Sequence, residues 1–169
     1  MLARWQYSCQ VQLSSGPFPP NLETTCGAFV VSTDPSRLDV DEIHRFLAGS
    51  YWAAGIPRGI VERSIAGSLC FGLYEGTQQV GFARVITDRA TYAYLADVYV
   101  EEAYRGKGLG EWLLQVILAH PDLQSLRRFA LVTRDAQRLY AKFGFASLSL
   151  PELHMEIHNP DVYLAASER

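Results

Sequence analysis

The chain has 169 residues, of which 49% are hydrophobic and 20% are charged, and its formal net charge is −3. This length and composition suit one globular domain with a buried core. The longest basic run is Arg127-Arg128, so the broad basic face of a duplex-binding protein is missing and no nucleic-acid partner is expected. No stretch approaches the ~18 apolar residues that span a bilayer, and the N-terminus lacks a signal-peptide pattern. We therefore expect a cytoplasmic protein without a membrane partner.

The cysteines and histidines do not suggest a metal centre. Cys9, Cys26 and Cys70 are widely spaced, and none forms a Cys-x-x-Cys pair or lies at ligand spacing from a histidine. We therefore predict reduced thiols and no bound metal, and nothing around the three cysteines marks a catalytic nucleophile. The four histidines share no spacing, which favours solvated or capping roles for His44, His120, His154 and His158.

In chain order, residues 1–27 are predicted to be an irregular extension, because a cluster of Ser, Gly, Pro and Asn at 14–21 stops regular structure. One domain is expected to span residues 28–169. Its first strand covers residues 28–32. Asp39 then precedes a helix whose apolar face carries Val40, Ile43 and Leu47. A second short helix follows from about Arg58 to Ser64.

The middle of the chain predicts three strands at residues 68–74, 79–87 and 91–100, joined by short turns typical of an antiparallel meander. Residues 108–119 form the clearest helix, because apolar side chains recur at i, i+3, i+4, i+7 and i+8 from Leu109. A short strand at 129–132 and a helix at 135–143 follow, with Gly144 at a left-handed position after the helix. Two late strands are predicted at 146–150 and 153–157.

Strand 91–100, helix 108–119 and strand 129–132 form a βαβ crossover, which should make its two strands parallel. The sequence therefore predicts an α/β fold with a central mixed, mostly antiparallel, twisted sheet and helices on both faces.

The loop that begins this helix, Arg105-Gly106-Lys107-Gly108-Leu109-Gly110, has the composition of an anion site. Glycine permits close approach of backbone to ligand, and the amides and dipole of a helix N-terminus attract negative charge. Arg105 and Lys107 add two cations, so the loop suits a pyrophosphate. The spacing fits neither the P-loop nor the dinucleotide fingerprint. On this loop alone, a simple glycine-rich turn remains the alternative.

A second motif, residues 136–145, lies one strand later, and here the chain resembles the GNAT superfamily of N-acetyltransferases over roughly residues 68–148. The loop matches the family pattern Arg/Gln-x-x-Gly-x-Gly/Ala at positions 105, 108 and 110. The later segment matches the family ending Tyr-x-x-x-Gly-Phe at Tyr140, Gly144 and Phe145.

The resemblance implies a GNAT-like acyl-CoA N-acyltransferase fold, acetyl-coenzyme A as cofactor, and direct acetyl transfer to a primary amine of a small molecule or peptide. Family members are often dimers, which leaves a homodimer open by analogy.

The resemblance also implies two catalytic residues. Tyr140 takes the family position of the general acid, since a phenol of pKa ~10 can protonate a thiolate whose thiol has a pKa of ~8.5. The Glu that some members use as base falls near Tyr94, so Asp97, the only acid within its strand, is the candidate base, directly or through water. Its alternative role is a structural partner of Arg84.

The family's oxyanion is held by a backbone N–H, for which Val98 is the candidate donor. Thr133 stands where many members have asparagine, and its hydroxyl can still bond to the pantetheine arm or a water. The aromatic acceptor residues have ordinary packing as their alternative role. The implied acceptor site comprises Tyr51, Trp52, Arg84 and Tyr94. The implied cofactor-binding residues are Val98, Tyr99, Val100, Arg105, Gly106, Lys107, Gly108, Leu109, Gly110, Thr133, Ala136, Tyr140 and Phe143.

Two rival functions remain. A non-catalytic acyl-CoA sensor is favoured by Thr133 and by the missing carboxylate at position 94, whereas the presence of Tyr140 argues against it. An interaction protein that uses the Pro-rich extension has no positive support.

Overall fold

The computed structural model of the protein describes residues 9–12 and 21–163. Within them, seven strands form one sheet in chain order. Neighbouring strands are antiparallel from the first to the sixth, and the sixth and seventh are parallel. The mixed α/β fold, mostly antiparallel with one parallel crossover pair, is thereby confirmed. The strands are β1 (Cys9–Gln12), β2 (Glu23–Cys26), β3 (Phe29–Ser32), β4 (Leu69–Glu75), β5 (Gln78–Thr87), β6 (Tyr92–Val100) and β7 (Arg128–Leu131).

The described residues divide into two compact units. The sheet unit lies within Met1–Asp39 and Gly67–Val132, and the helical unit lies within Val40–Ala66 and Thr133–Arg169. The helices are α1 (Val40–Ala48), α2 (Arg58–Ala66), α3 (Leu109–Leu118) and α4 (Gln137–Ala141). The sheet unit holds all seven strands and α3, and the helical unit holds α1, α2 and α4. In the described part of the chain, no helix has the length and apolar character needed to cross a bilayer.

In the sheet unit, the predicted apolar stripe of α3 is confirmed. Its members are buried, and the helix packs against β4 and β6. Each such side chain contributes about 1.5–3 kcal/mol on burial, so the stripe fixes the helix on the sheet. The helix ends before Pro121, and the imidazole Nδ1 of His120 accepts a hydrogen bond from the Asp122 amide at 3.2 Å. The stripe comprises Leu109, Trp112, Leu113, Val116 and Ile117.

In the helical unit, the two predicted helices are confirmed, and the loop between them is tied down. The amide of Gly55 donates to the carbonyl of Ala48 at 3.0 Å, and His44 Nε2 lies 3.0 Å from the carbonyl oxygen of Ile56. The Ser50 hydroxyl, which is buried, accepts from the Ala53 amide at 3.2 Å. These bonds hold the segment that carries Tyr51 and Trp52.

The prediction that residues 1–27 are irregular is wrong for β1 and β2. Residues of β2 alternate between exposed and buried, with Thr24 and Cys26 turned inward, and the strand pairs with β3 through a turn at Gly27. Gly27 has a φ of 61°, which a glycine adopts without steric cost. The two-residue turn at residues 27–28, which follows the proline-rich cluster in the sequence, joins β2 and β3 in a hairpin.

The prediction of two late strands is also wrong. Residues 146–150 and 153–157 contain no strand, and a 3-10 turn at Pro151–Leu153 lies between them. Alternating apolar residues form a strand only when one face is buried, and Leu148, Leu150 and Leu153 are all exposed. The helix predicted at 135–143 is shorter, because α4 covers only Gln137–Ala141. The left-handed position after it is confirmed, since Gly144 has a φ of 88°.

Candidate active site

Strand β6 changes its pairing where the site residues begin. It pairs with β7 from Tyr92 to Leu95, and within the described residues no strand pairs with that edge of β6 beyond this point. On its other edge, the register with β5 shifts between Phe82 and Arg84, and Asp97 opposite this shift has a φ of 55°. A β-bulge of this kind turns the backbone and leaves a peptide group outside the ladder. Val98, the predicted oxyanion donor, follows directly after it.

Asp97 forms an ion pair with Arg84 across the bulge. Arg84 Nε donates to the Asp97 carboxylate at 2.7 Å, and Arg84 Nη1 donates to the Ser68 hydroxyl at 3.2 Å. Only 15% of the Arg84 side chain and 11% of the Asp97 side chain are exposed. The structural alternative for Asp97 is therefore present in the fold. Ser68 was missed from the sequence, because nothing in its local pattern shows that it meets an arginine 16 residues away.

The glycine loop has the backbone geometry of an anion site. Gly106 and Gly108 have φ values of 75° and 77°, and Gly108 is the N-cap of α3. Left-handed residues alternating with right-handed or extended ones turn successive amides toward one point, and the first amides of a helix have no acceptor within it. A Cβ on Gly106 would meet nothing within 4 Å, so the space in front of this backbone is open. The loop therefore presents amides and the positive end of a ten-residue helix.

Both cations of the loop also contact the sheet unit. Arg105 Nε donates to the Val100 carbonyl at 2.9 Å, which ties the loop to the end of β6. Lys107 Nζ lies 4.8 Å from the centre of the Tyr104 ring, and Tyr104 donates to the Glu75 carboxylate at 3.1 Å. The loop is thereby anchored on both sides of Gly106, as a preorganised ligand site requires.

A cavity of about 350 Å³ lies beside the same loop, lined by residues of the β2–β3 turn together with Lys107, Leu109 and Trp112. Its walls are mainly apolar, so it suits an apolar group, whereas the backbone amides of the glycine loop suit an anion. Cys26 also lines it, and Cys26 and Cys70 are both buried. Burial raises the pKa of Cys70 to about 12, so this thiol is not a nucleophile at neutral pH.

In the helical unit, Tyr140 lies on α4 and is 9% exposed. Its ring meets Phe145 edge-on with 5.9 Å between centroids. Burial raises the pKa of Tyr140 to about 12, and electrostatic interactions with Tyr51 and Asp135 raise it in the same direction. The phenol therefore keeps its proton throughout the neutral and mildly alkaline range.

Tyr51 and Trp52, the two acceptor residues predicted on the first helix-loop-helix, lie together in the same unit. Their rings meet edge-on with 4.9 Å between centroids, and both side chains are exposed. The guanidinium carbon of Arg134 lies 3.7 Å from the centre of the Tyr51 ring, and the Arg134 amide donates to the Tyr51 hydroxyl at 3.4 Å. Arg134 was missed, since no local pattern links it to a residue 83 positions earlier.

The other predicted residues are placed as follows. The Thr133 hydroxyl oxygen accepts from the Ala136 amide at 3.0 Å at the start of α4. The Phe143 amide donates to the Tyr140 carbonyl at 2.9 Å. Tyr94 and Tyr99 lie on β6, where Tyr94 pairs with Ile86 and Tyr99 is buried. Arg84, Asp97 and the glycine loop thus belong to the sheet unit, and Tyr51, Trp52, Thr133 and Tyr140 to the helical unit.

Comparisons with known proteins identify the family to which this fold belongs. A family profile described as "Acetyltransferase (GNAT) domain" matches residues 66–147. A Gibberella zeae protein named a "putative acetyltransferase" is 36% identical over 141 residues, which cover 70% of this chain and 78% of that protein. A Xanthomonas campestris pv. campestris structure, described as "a putative acetyltransferase belonging to the gnat family", is 49% identical and covers 80% of this chain and 96% of its own, with a TM-score of 0.79.

The chain belongs to the GNAT family of acetyltransferases. As a GNAT acetyltransferase, it is an enzyme that transfers an acyl group. Its fold is shared with a Clostridium acetobutylicum protein described as a "predicted acetyltransferase with acetyl-CoA", at 15% identity and a TM-score of 0.56, over 77% of this chain and 94% of that one. The resemblance drawn from the two sequence motifs is confirmed at the level of family and fold.

Proposed function

We propose that the protein transfers the acetyl group of acetyl-coenzyme A to a primary amine of a small molecule or peptide. The observation that carries this proposal is the pair of left-handed glycines, Gly106 and Gly108, at the start of α3. The GNAT family generally uses acetyl-CoA, and the Clostridium relative of the same fold is described with that molecule.

The residues of the loop fit the diphosphate of coenzyme A. Its backbone amides supply hydrogen-bond donors, α3 supplies a helix dipole, and Arg105 and Lys107 supply charge. The open space beside Gly106 leaves room for phosphate oxygens. When bound, acetyl-coenzyme A would supply an activated thioester. Among the described residues, no strand continues the β7 pairing of β6 beyond Leu95, and an extended pantetheine arm would add there like a strand.

In this proposal, Tyr140 holds the proton that the departing sulfur must receive. With a pKa of about 12, its phenol stays protonated, but transfer to a thiolate of pKa ~8.5 is uphill by about 5 kcal/mol. That cost lies well below the barrier of about 16 kcal/mol for a turnover of ~10 s⁻¹. Burial raises the pKa of a thiol as it raises that of a phenol, so the pKa difference between Tyr140 and a buried coenzyme A thiol is smaller than these values suggest.

The amine needs a proton acceptor as well. A lysine-like ammonium of pKa ~10.4 must lose a proton at pH 7, at a cost of about 4.6 kcal/mol. The Asp97 carboxylate already accepts a hydrogen bond from Arg84 Nε at 2.7 Å, so part of its accepting capacity is in use. Water is therefore an equally suitable first acceptor of the ammonium proton. One experiment distinguishes Asp97 from water in this role.

Asp97→Asn is expected to lower the free energy of unfolding by about 3 kcal/mol, because it leaves Arg84 without its ionic partner in a largely buried position. Asparagine tolerates the left-handed backbone of position 97, so the bulge itself is kept. The matched variant is Arg84→Gln, which breaks the same ion pair from the other side. We would measure thermal unfolding and kcat at saturating acceptor for both. A base role for Asp97 requires a clearly larger loss of kcat in Asp97→Asn than in Arg84→Gln, and equal losses exclude it.

The proposed function is tested by incubating the protein with acetyl-coenzyme A and a panel of primary amines while free thiol is measured. We expect thiol release that depends on amine, together with a raised melting temperature in acetyl-coenzyme A alone. Binding without thiol release on any amine would favour an acyl-CoA sensor. If neither binding nor release occurs, the proposal is wrong.

A further inference from the structure

The helical unit, which also contains Tyr140, carries an exposed cluster of aromatic and charged side chains. We define the acceptor face as Tyr51, Trp52, Arg134 and Asp135. Tyr51 is 49% exposed and Trp52 is 41% exposed, although both are large apolar rings. Phe46 lies behind Trp52, with 6.3 Å between ring centroids, and supports it from α1. Two adjacent exposed aromatic rings on a fixed loop are suited to stacking a planar or apolar ligand.

Arg134 is held in one orientation. Its guanidinium lies over the Tyr51 ring at 3.7 Å, and its own amide donates to the Tyr51 hydroxyl. The turn that carries it is fixed by Gln137, whose side-chain amide donates to the carbonyls of Thr133 and Arg134, both at 3.1 Å. An arginine stacked on an aromatic ring keeps the N–H groups at its edge available in a planar fork, and this fork matches a carboxylate.

Asp135 does not neutralise this arginine. Arg134 Nη2 lies 3.9 Å from the Asp135 carboxylate, and the two side chains are 66% and 67% exposed. An exposed ion pair at this distance contributes little and exchanges readily for a better partner. Asp135 also acts electrostatically on Tyr140, the proposed acid. The acceptor face therefore offers a cation, an anion and two rings in one place.

From this arrangement, we infer that the acceptor is an amine with an aromatic body and a carboxylate, the chemistry of an aromatic amino acid. The carboxylate would bind the Arg134 fork, the ring would stack on Tyr51 and Trp52, and the ammonium would approach Asp135. A polyamine, in contrast, would bring positive charge to Arg134 and leave both rings unused.

This inference rests on the proposed function. In the transfer, the amine nitrogen forms a bond to the acetyl carbon and the carbon–sulfur bond breaks. An ammonium and acetyl-coenzyme A thereby give an N-acetyl amine, coenzyme A thiol and one released proton.

The test compares kcat/KM for three acceptors at saturating acetyl-coenzyme A. They are phenylalanine, phenethylamine, which lacks the carboxylate, and alanine, which lacks the ring. We expect phenylalanine to exceed each of the others by about tenfold or more. In Arg134→Gln the ratio of phenylalanine to phenethylamine should fall toward one, and Arg134→Lys should restore it only in part, because lysine lacks the fork. Arg138→Gln, an exposed arginine on α4, is the matched control and should keep the wild-type ratio.

Each contrary result has a distinct meaning. Equal turnover of phenylalanine and phenethylamine overturns the assigned acceptor class and leaves acetyl transfer intact. An Arg134→Gln protein that loses affinity for coenzyme A while keeping the acceptor ratio places Arg134 in the coenzyme site and overturns the inference. If the wild-type protein acetylates no amine in a broad panel, the proposed function fails together with it.

Discussion

Replacing Tyr140 with phenylalanine is expected to lower kcat by about 10²–10⁴-fold, the usual effect of removing a general acid or base. Thermal stability should change little, because the phenylalanine ring preserves the burial of position 140 and the edge-on contact with Phe145. KM for the amine should also change little if the hydroxyl acts only on the departing sulfur. Steady-state kinetics with a circular dichroism melt of the same preparation would measure all three quantities.

The pKa of Tyr140 makes the prediction sharper. Burial raises it to about 12, so an acid at this position stays protonated and does not cause any fall in kcat between pH 7 and pH 10. The ratio of wild-type to Tyr140→Phe kcat should therefore be constant across that range. An unshifted phenol, with a pKa of ~10, would instead be half deprotonated at pH 10, so the ratio of the two kcat values would fall as the pH approaches 10.

Tyr74→Phe provides a matched control. Tyr74 lies on β4, is buried, and has a pKa that burial likewise raises to about 12. The two tyrosines share burial and acidity, but Tyr74 belongs to neither proposed binding region. Its substitution should leave kcat unchanged. A Tyr140→Phe enzyme within about threefold of wild type, or an equal loss in Tyr74→Phe, would show that Tyr140 is not the acid.

The elements predicted well are those whose signal is local and repeated. Helix α3 shows five apolar positions at helical spacing, and the strands β4, β5 and β6 are separated by short turns that dictate antiparallel pairing. The prediction of the late strands was wrong because alternating apolar residues at 146–157 define one apolar face but do not show whether another element buries it. Strand β2 was missed for the converse reason. One of its faces is buried in the sheet, but the sequence Glu23–Cys26 contains two threonines and shows no apolar alternation that would indicate it.

The features of the candidate site likewise divide into those with a local sequence signal and those that depend on contacts between distant residues. The glycine loop was predictable because φ requirements and helix-terminus amides act within six consecutive residues. Contacts between distant positions were not predictable. The ion pair of Arg84 with Asp97 was anticipated only as an alternative, from strand adjacency, and the stacking of Arg134 on Tyr51 was not anticipated at all. Register and side-chain direction decide such contacts, and tertiary packing sets both.

Gly108→Pro is expected to weaken binding of coenzyme A by about 10–100-fold, the loss of one or two hydrogen bonds to a charged group. Gly108 has a φ of 77°, whereas proline fixes φ near −65°, so the amides around position 108 can no longer converge. Gly108→Ala should show a smaller loss, since alanine reaches the left-handed region at a cost of about 1–2 kcal/mol. Isothermal titration with coenzyme A measures both.

Two comparisons make the result specific to the diphosphate. Gly110→Ala is the control variant, because its Cβ would come no closer than 3.9 Å to Val100 Cγ2, an ordinary contact, and its affinity should equal that of the wild type. Pantetheine, which lacks the diphosphate, should bind wild type and Gly108→Pro equally well. The selective loss of coenzyme A affinity would assign the diphosphate to the amides before α3. A Gly108→Pro protein that melts cooperatively and binds coenzyme A as the wild type does would instead show that these amides do not hold the diphosphate, because proline cannot adopt the φ of 77° that turns them together.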